Sequence, residues 1–217
     1  MADNDSREGA AYHTPEILHW LEGVHRRDDA ALRAAFDAPA KHGMPAVMVG
    51  PAEGAMLGLL LRLLGARRVV EVGTLAGYST IHIARALPAD GKVFSVESSP
   101  EHAEVARANL AAAGVADRAE VRVGAGLEVL PTLAAEGPFD AVFIDADKGN
   151  YDGYGRWAAE NLRRGGMLIG DNVFYFGRLL EEGADAAAMR RFHAEAAERF
   201  DTVVIPTPDG QLVGIKR

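Results

Sequence analysis

Between Arg68 and Gly170 the chain alternates short apolar runs with helix-length segments, and this rhythm limits the possible folds more than any other feature. The runs Arg68 to Gly73, Lys92 to Glu97, Ala119 to Gly124, Phe139 to Ile144 and Gly166 to Gly170 read as strands. Among the segments between them, Ser79 to Leu87 and Pro100 to Ala113 read as helices, the second closed by Gly114. Strands joined by crossovers of this length run parallel, in a sheet covered on both faces. A last helix, Ala184 to Phe200, leads to two further strands, Thr202 to Ile205 and Gln211 to Lys216. The turn Pro206-Thr207-Pro208-Asp209-Gly210 joins them, and so tight a connection requires an antiparallel finish.

The chain is read as one domain over 1–217, with a disordered tip over 1–12, a helical region over 13–64 and an α/β core over 65–217. In the helical region Pro15 to Ala38 reads as one stretch, with Ile17, Leu18, Leu21 and Val24 at helical spacing. Pro39 to Pro51 is rich in turn formers, and Ala52 to Leu64 is an apolar helix closed by Gly65. A chain of 217 residues, 48% hydrophobic, is long enough to bury a core. Its formal charge of -8 argues against broad affinity for nucleic acid or an anionic membrane. The lack of cysteine removes thiolate chemistry and Cys-ligated zinc and agrees with a cytoplasmic location. No apolar stretch approaches the roughly 20 residues needed to span a bilayer, and the polar start is not a signal peptide.

The chemistry gathers at strand ends. Asp145 follows the run ending at Ile144, and Asp171 and Asn172 follow Gly170, so a parallel sheet delivers all three to its carboxyl rim, where such sheets bind ligands. Two carboxylates and an amide oxygen form a hard-oxygen nest for Mg²⁺ or Ca²⁺, with Lys148 three residues past the first carboxylate. The loop Glu71-Val-Gly73-Thr-Leu-Ala-Gly77-Tyr-Ser79 lacks the G-x-G-x-x-G spacing of a dinucleotide site. It also places a carboxylate before its first glycine, which repels phosphate but suits an ammonium or sulfonium. Glu97, ending the next strand, is placed to accept ribose hydroxyls. S-adenosylmethionine, with an amino-acid end, a sulfonium and a ribose but no phosphate, fits this charge pattern better than NAD.

Three ordered motifs, Glu71-Val-Gly-Thr-Leu-Ala-Gly-Tyr-Ser79, Phe143-Ile-Asp-Ala-Asp-Lys148 with Asn150-Tyr151, and Gly170-Asp-Asn172, resemble those of the cation-dependent O-methyltransferases, which include the caffeoyl-CoA and catechol enzymes. The resemblance runs from about Val47 to the C-terminus, where Asp209-Gly210 matches the family's hairpin turn. It implies a Rossmann-like class I methyltransferase fold, with a mostly parallel seven-stranded sheet, an antiparallel C-terminal hairpin and N-terminal helices. It also implies that Asp145, Asp171 and Asn172 hold a divalent cation, Mg²⁺ first, with Ca²⁺ or Mn²⁺ open. Lys148 would be the general base. Val49, Glu71, Gly73, Ser79, Glu97, Gly126 and Asp147 would bind the donor. The implied partners are a small aromatic diol and a second copy of the chain; no membrane is expected, and the acidic balance disfavours nucleic acid.

In plant members of the family an asparagine a few residues past the Asp-Asn pair contacts substrate, whereas this chain has Phe176 there. Phe174, Tyr175 and Phe176 could form an aromatic wall for a flat ring or serve core or dimer packing. Three rival readings stay open: methylation of a hydroxylated tRNA uridine, using Arg163, Arg164, Arg190 and Arg191 as a basic patch; a nucleotide-dependent oxidoreductase; and a donor-binding module without catalysis. The seven histidines show no metal-like spacing, and His42 is the one that precedes the expected donor segment.

Overall fold

The computed structural model describes residues 14–25 and 28–217, so the expected tip over 1–12 lies outside the described residues. A seven-stranded sheet forms the centre, in the order β3-β2-β1-β4-β5-β7-β6. Its strands are β1 (Arg68–Val72), β2 (Lys92–Glu97), β3 (Ala119–Val123), β4 (Phe139–Ile144), β5 (Leu162–Gly170), β6 (Phe200–Ile205) and β7 (Gln211–Lys216). The first five run parallel, while β7 inserts antiparallel between β5 and β6. This is the expected class I methyltransferase architecture.

Period-two side-chain alternation sorts the strand residues into two cores. On one face Val70, Val72, Phe94, Val142, Ile144 and Leu168 pack under α6 (Gly126–Leu133), α7 (Tyr151–Asn161) and α8 (Ala184–Arg199). On the other, Val69, Val93, Phe143 and Ile169 pack under α2 (Ala30–His42), α3 (Pro51–Leu64), α4 (Tyr78–Ala86) and α5 (Pro100–Ala112). Strands covered on both sides carry near-continuous apolar runs, which is why they were legible from the sequence.

The N-terminal region departs from the expected single stretch. It forms α1 (Pro15–His25) and a separate α2, because Asp29 caps a new helix by accepting the Leu32 N–H. α2 then continues through Pro39 to His42, beyond the expected break. Proline there lacks one helical donor, but it lies in the last turn and is buried against the core. No helix among the described residues is long and apolar enough to cross a membrane.

Candidate functional site

Strand order reverses between β1 and β4, and a cavity of about 580 Å³ opens at the carboxyl ends there. Its wall includes Val49, Gly73, Ser79, Glu97, Gly126, Asp145, Asp147, Lys148 and Asn172, so most of the expected site residues meet in one space. Glu71 and Asp171 lie buried just outside that lining.

The loop after β1 forms one side. The Gly73 N–H donates to the Val96 carbonyl at 2.9 Å and its φ is +99°. A β-carbon here would sit 1.9 Å from the Asp145 carbonyl oxygen, so only glycine lets the loop pass the end of β4. Glu97 Oε2 accepts the Thr74 and Leu75 amides at 3.2 and 2.8 Å, and Oε1 accepts the Ser99 amide at 2.9 Å. A carboxylate offers about four lone-pair sites, so with three amides bound Glu97 is held firmly and keeps about one acceptor site, on Oε1, which the Ser98 hydroxyl approaches at 3.5 Å. Gly126, opposite, faces the Tyr154 ring so closely that a β-carbon would come 2.7 Å from it.

Glu71 does not reach the cavity. It is fully buried behind the loop, where Thr80 and Ser95 donate to Oε2 and the Ser79 hydroxyl lies beside it. Thr74 extends the chain through Ser95, 2.5 Å away. In this structure Glu71 thus braces the loop from behind Ser79 and Gly73 through Oε2, while its Oε1 has no partner. Burial pushes the Glu71 carboxyl up to about 7, against the three hydroxyls that favour its charged form.

Lys148 dominates the opposite end. Its Nζ donates to Asp145 Oδ1 at 3.3 Å, Tyr151 Oη at 2.7 Å and Asn172 Oδ1 at 2.8 Å, and it lies over the Tyr151 ring. The Tyr151 hydroxyl in turn donates toward the Asp171 carbonyl, 2.8 Å away. Desolvation pushes the Asp145 carboxyl above its ordinary range despite Lys148. Asp171 is driven to about 7 by burial, with the charges of Asp145 and Glu53 adding to it. Asn172 adopts φ +53°, a left-handed conformation that asparagine tolerates better than most residues.

The hairpin turn fixes the segment beyond. Val173 and Phe174 donate to the Gly210 and Asp209 carbonyls, and the Phe176 amide donates to Asp209 Oδ1 at 2.8 Å. The three aromatics part company here: Phe176 lines the cavity, Tyr175 is buried in the core and Phe174 packs on Gly210. His42 is exposed and off the cavity. Sequence reasoning missed His102, which lines it 3.5 Å from Glu97 Oε1, and Tyr154, whose hydroxyl donates to Asp147 Oδ1 at 2.6 Å. The signals available were a helix start next to Glu97 for His102, and the i, i+3 spacing of Tyr151 and Tyr154 on α7.

Residues 24–217 match the O-methyltransferase family. The chain belongs to that family. It is 49% identical over 179 residues to a catechol O-methyltransferase of Mycobacterium tuberculosis, covering 82% of this chain and 81% of that enzyme. A catechol O-methyltransferase of Niastella koreensis is 40% identical over 207 residues, covering 92% and 91%. The structure of an O-methyltransferase from Bacillus cereus in complex with SAH superposes with a TM-score of 0.87 at 36% identity, covering 92% of this chain and 96% of that one. This O-methyltransferase thus combines the family sequence with the S-adenosylmethionine-dependent class I fold.

Two outcomes follow from the donor-side geometry. Gly73→Ala should cost roughly 3 kcal/mol or more and abolish thermal stabilisation by S-adenosylhomocysteine; a variant that melts and binds like wild type would contradict the close approach to Asp145. For Glu71 the folded value lies above the ordinary 4.5, so its contribution to stability is full below that pH and is lost as pH rises through about 7. Glu71→Gln should therefore lose less stability than wild type between about pH 5 and pH 8, a difference on the order of 3 kcal/mol. Parallel denaturation curves for the two proteins would show that Glu71 ionises freely.

Proposed function

We propose that this O-methyltransferase moves the methyl group of S-adenosylmethionine to a hydroxyl of a small catechol-type phenol, with a divalent cation held by Asp145, Asp171 and Asn172. The observation that carries the reading is the meeting of Lys148, Asp145 and Asn172 at one end of a cavity whose other side presents Glu97. The catechol O-methyltransferases among its relatives support the acceptor class, and the SAH-bound relative supports the donor.

The donor set fits a hard dication. Among the described residues no three His, Cys, Asp or Glu side chains form a metal cluster, but here the third donor is an amide oxygen. The carboxyls of Asp145 and Asp171, both raised by desolvation, repel one another, a burden that a dication relieves. When bound, such a cation supplies Lewis acidity and a grip on two vicinal oxygens. The protein's own residues do the rest. Glu97 takes the donor's ribose hydroxyls, Ser79 and the Gly73 turn receive its methionine end, and Val49, Gly126 and Asp147 close the pocket. Glu71 braces Ser79 from behind. Acidic lining at Glu97, Asp145 and Asp147 suits a cationic sulfonium and disfavours the pyrophosphate of a dinucleotide, against the oxidoreductase reading.

In the transfer, the acceptor oxygen forms a bond to the methyl carbon as the carbon–sulfur bond breaks, leaving S-adenosylhomocysteine and a methyl ether. The hydroxyl proton passes to the lone pair of Lys148 Nζ in its neutral amine form, which becomes the ammonium; Tyr151 and Asn172 hold that nitrogen at the rim. Phe176, 63% exposed, offers a face against which a flat ring can lie. The basic patch required by the tRNA alternative is largely engaged: Arg163 with Asp140, Arg191 with Asp152, and Arg190 with the Leu179 and Glu181 carbonyls.

The proposal extends to a cytoplasmic homodimer. α1 has no buried residue, and Ile17, Leu18, Trp20, Leu21 and Val24 are all exposed, Trp20 at 65%. An amphipathic helix with a bare apolar face is the surface a second copy would cover. Sedimentation should give the mass of two chains for wild type and of one for Trp20→Asp/Leu21→Asp; a wild type that stays monomeric at all concentrations sinks this part.

Methyl transfer to a catechol panel with Mg²⁺ tests the chemistry. Excess EDTA should abolish the product, and Lys148→Met should lower kcat by roughly 10²–10⁴ while S-adenosylhomocysteine still stabilises the variant. Undiminished turnover in EDTA would remove the metal, and a fully active Lys148→Met would remove the base.

A further inference from the structure

Gln211 opens β7 and is only 1% exposed, yet neither its amide oxygen nor its amide nitrogen has a hydrogen-bond partner. A primary amide buried without partners opposes folding, so its presence calls for a use outside the fold's own hydrogen bonds.

Strand register places it. β5 and β7 pair antiparallel, and the last pair at the rim is Gly170 with Leu212. Carried one step past the end of β5, the same register would set Asp171 opposite Gln211, which pairs on its other side with Ile205. The Asp171 N–H donates to the Ile144 carbonyl at 2.9 Å, so the ladder with β4 continues through this residue and keeps it in line with the strand. Ile169 and Val213, a register pair, both belong to the core under α2 to α5. By period-two alternation Asp171 and Gln211 share that face. Glu53, in the first turn of α3, approaches from the same side, close enough for its charge to act on Asp171.

We propose that Gln211 is a positioning residue for Asp171: its Nε2, without a partner in this structure, would turn to donate to the Asp171 carboxylate when the divalent cation is bound and so hold that carboxylate in place. The inference rests on the metal reading of Asp145, Asp171 and Asn172 given above. The choice of side chain follows from charge. An ammonium at this position would compete with the cation for Asp171, and a carboxylate would add to the repulsion among Asp145, Asp171 and Glu53. A neutral amide donates without either effect, as outer partners of metal-bound carboxylates commonly do.

Mn²⁺ titrated calorimetrically into wild type, Gln211→Met and Gln211→Leu tests this, with S-adenosylhomocysteine affinity and metal-free melting temperature measured alongside. Met keeps the length and volume without the amide, so it carries the test if Leu does not fold. The expected result is a metal-free melting temperature at or above that of wild type, unchanged affinity for S-adenosylhomocysteine, and a Mn²⁺ dissociation constant higher by on the order of tenfold to a hundredfold. Variants that bind Mn²⁺ as tightly as wild type would overturn the positioning role and leave the metal reading intact. Loss of Mn²⁺ affinity together with melting temperature and S-adenosylhomocysteine affinity would make Gln211 a packing residue and overturn it too. A wild type that binds no Mn²⁺ would remove the metal reading and, with it, this inference.

Discussion

The site depends on the passage of the Gly73 backbone across the Asp145 carbonyl. Ladder bonds from Gly73 N–H to Val96 and from Asp145 N–H to Val72 tie the ends of β1, β2 and β4 together, and the missing β-carbon at Gly73 lets the two loops meet. One loop carries Gly73 and Thr74 and leads to Ser79, the other carries Asp145, Asp147 and Lys148, and all of them line the cavity. Their separation is therefore set by backbone contact rather than by flexible side chains, which is what in-line transfer between two bound molecules requires.

Around that crossing the protein accumulates buried carboxyls. Glu71 sits behind the loop and Asp145 and Asp171 sit at the rim, all with desolvation as the first cause of a raised value. The three are treated differently. Glu71 is surrounded by hydroxyls and serves the scaffold, whereas Asp145 shares Lys148 with Asn172 and faces the cavity. The same residue type is thus enclosed by hydroxyls in one place and open to the cavity in the other.

Much of this was legible in the chain because each piece is local. The apolar runs ended where the strands end, since strands buried on both faces leave a continuous hydrophobic signature. The Asp145-to-Lys148 and Asp171-Asn172 pairs stood out because parallel strands send their C-terminal residues to one rim. The split between α1 and α2 was overlooked because the cap at Asp29 is a single side-chain bond inside an otherwise helical pattern. Phe174, Tyr175 and Phe176 looked equivalent, and only the left-handed turns at Tyr175 and Phe176 send them to three environments.

The sequence by itself determined the parallel sheet, the rim on which the polar residues gather and the kinds of chemistry they support, because periodicity and strand ends are properties of neighbouring residues. The tertiary structure alone decided which of them share a cavity. It joined Glu71 to Ser95 behind the loop, brought His102 and Tyr154 into one wall with Val49 and Asn172, and bound Phe176 to the distant Asp209. Those pairings join residues far apart in the chain, and long-range packing and strand register, which no local pattern encodes, are what bring them together.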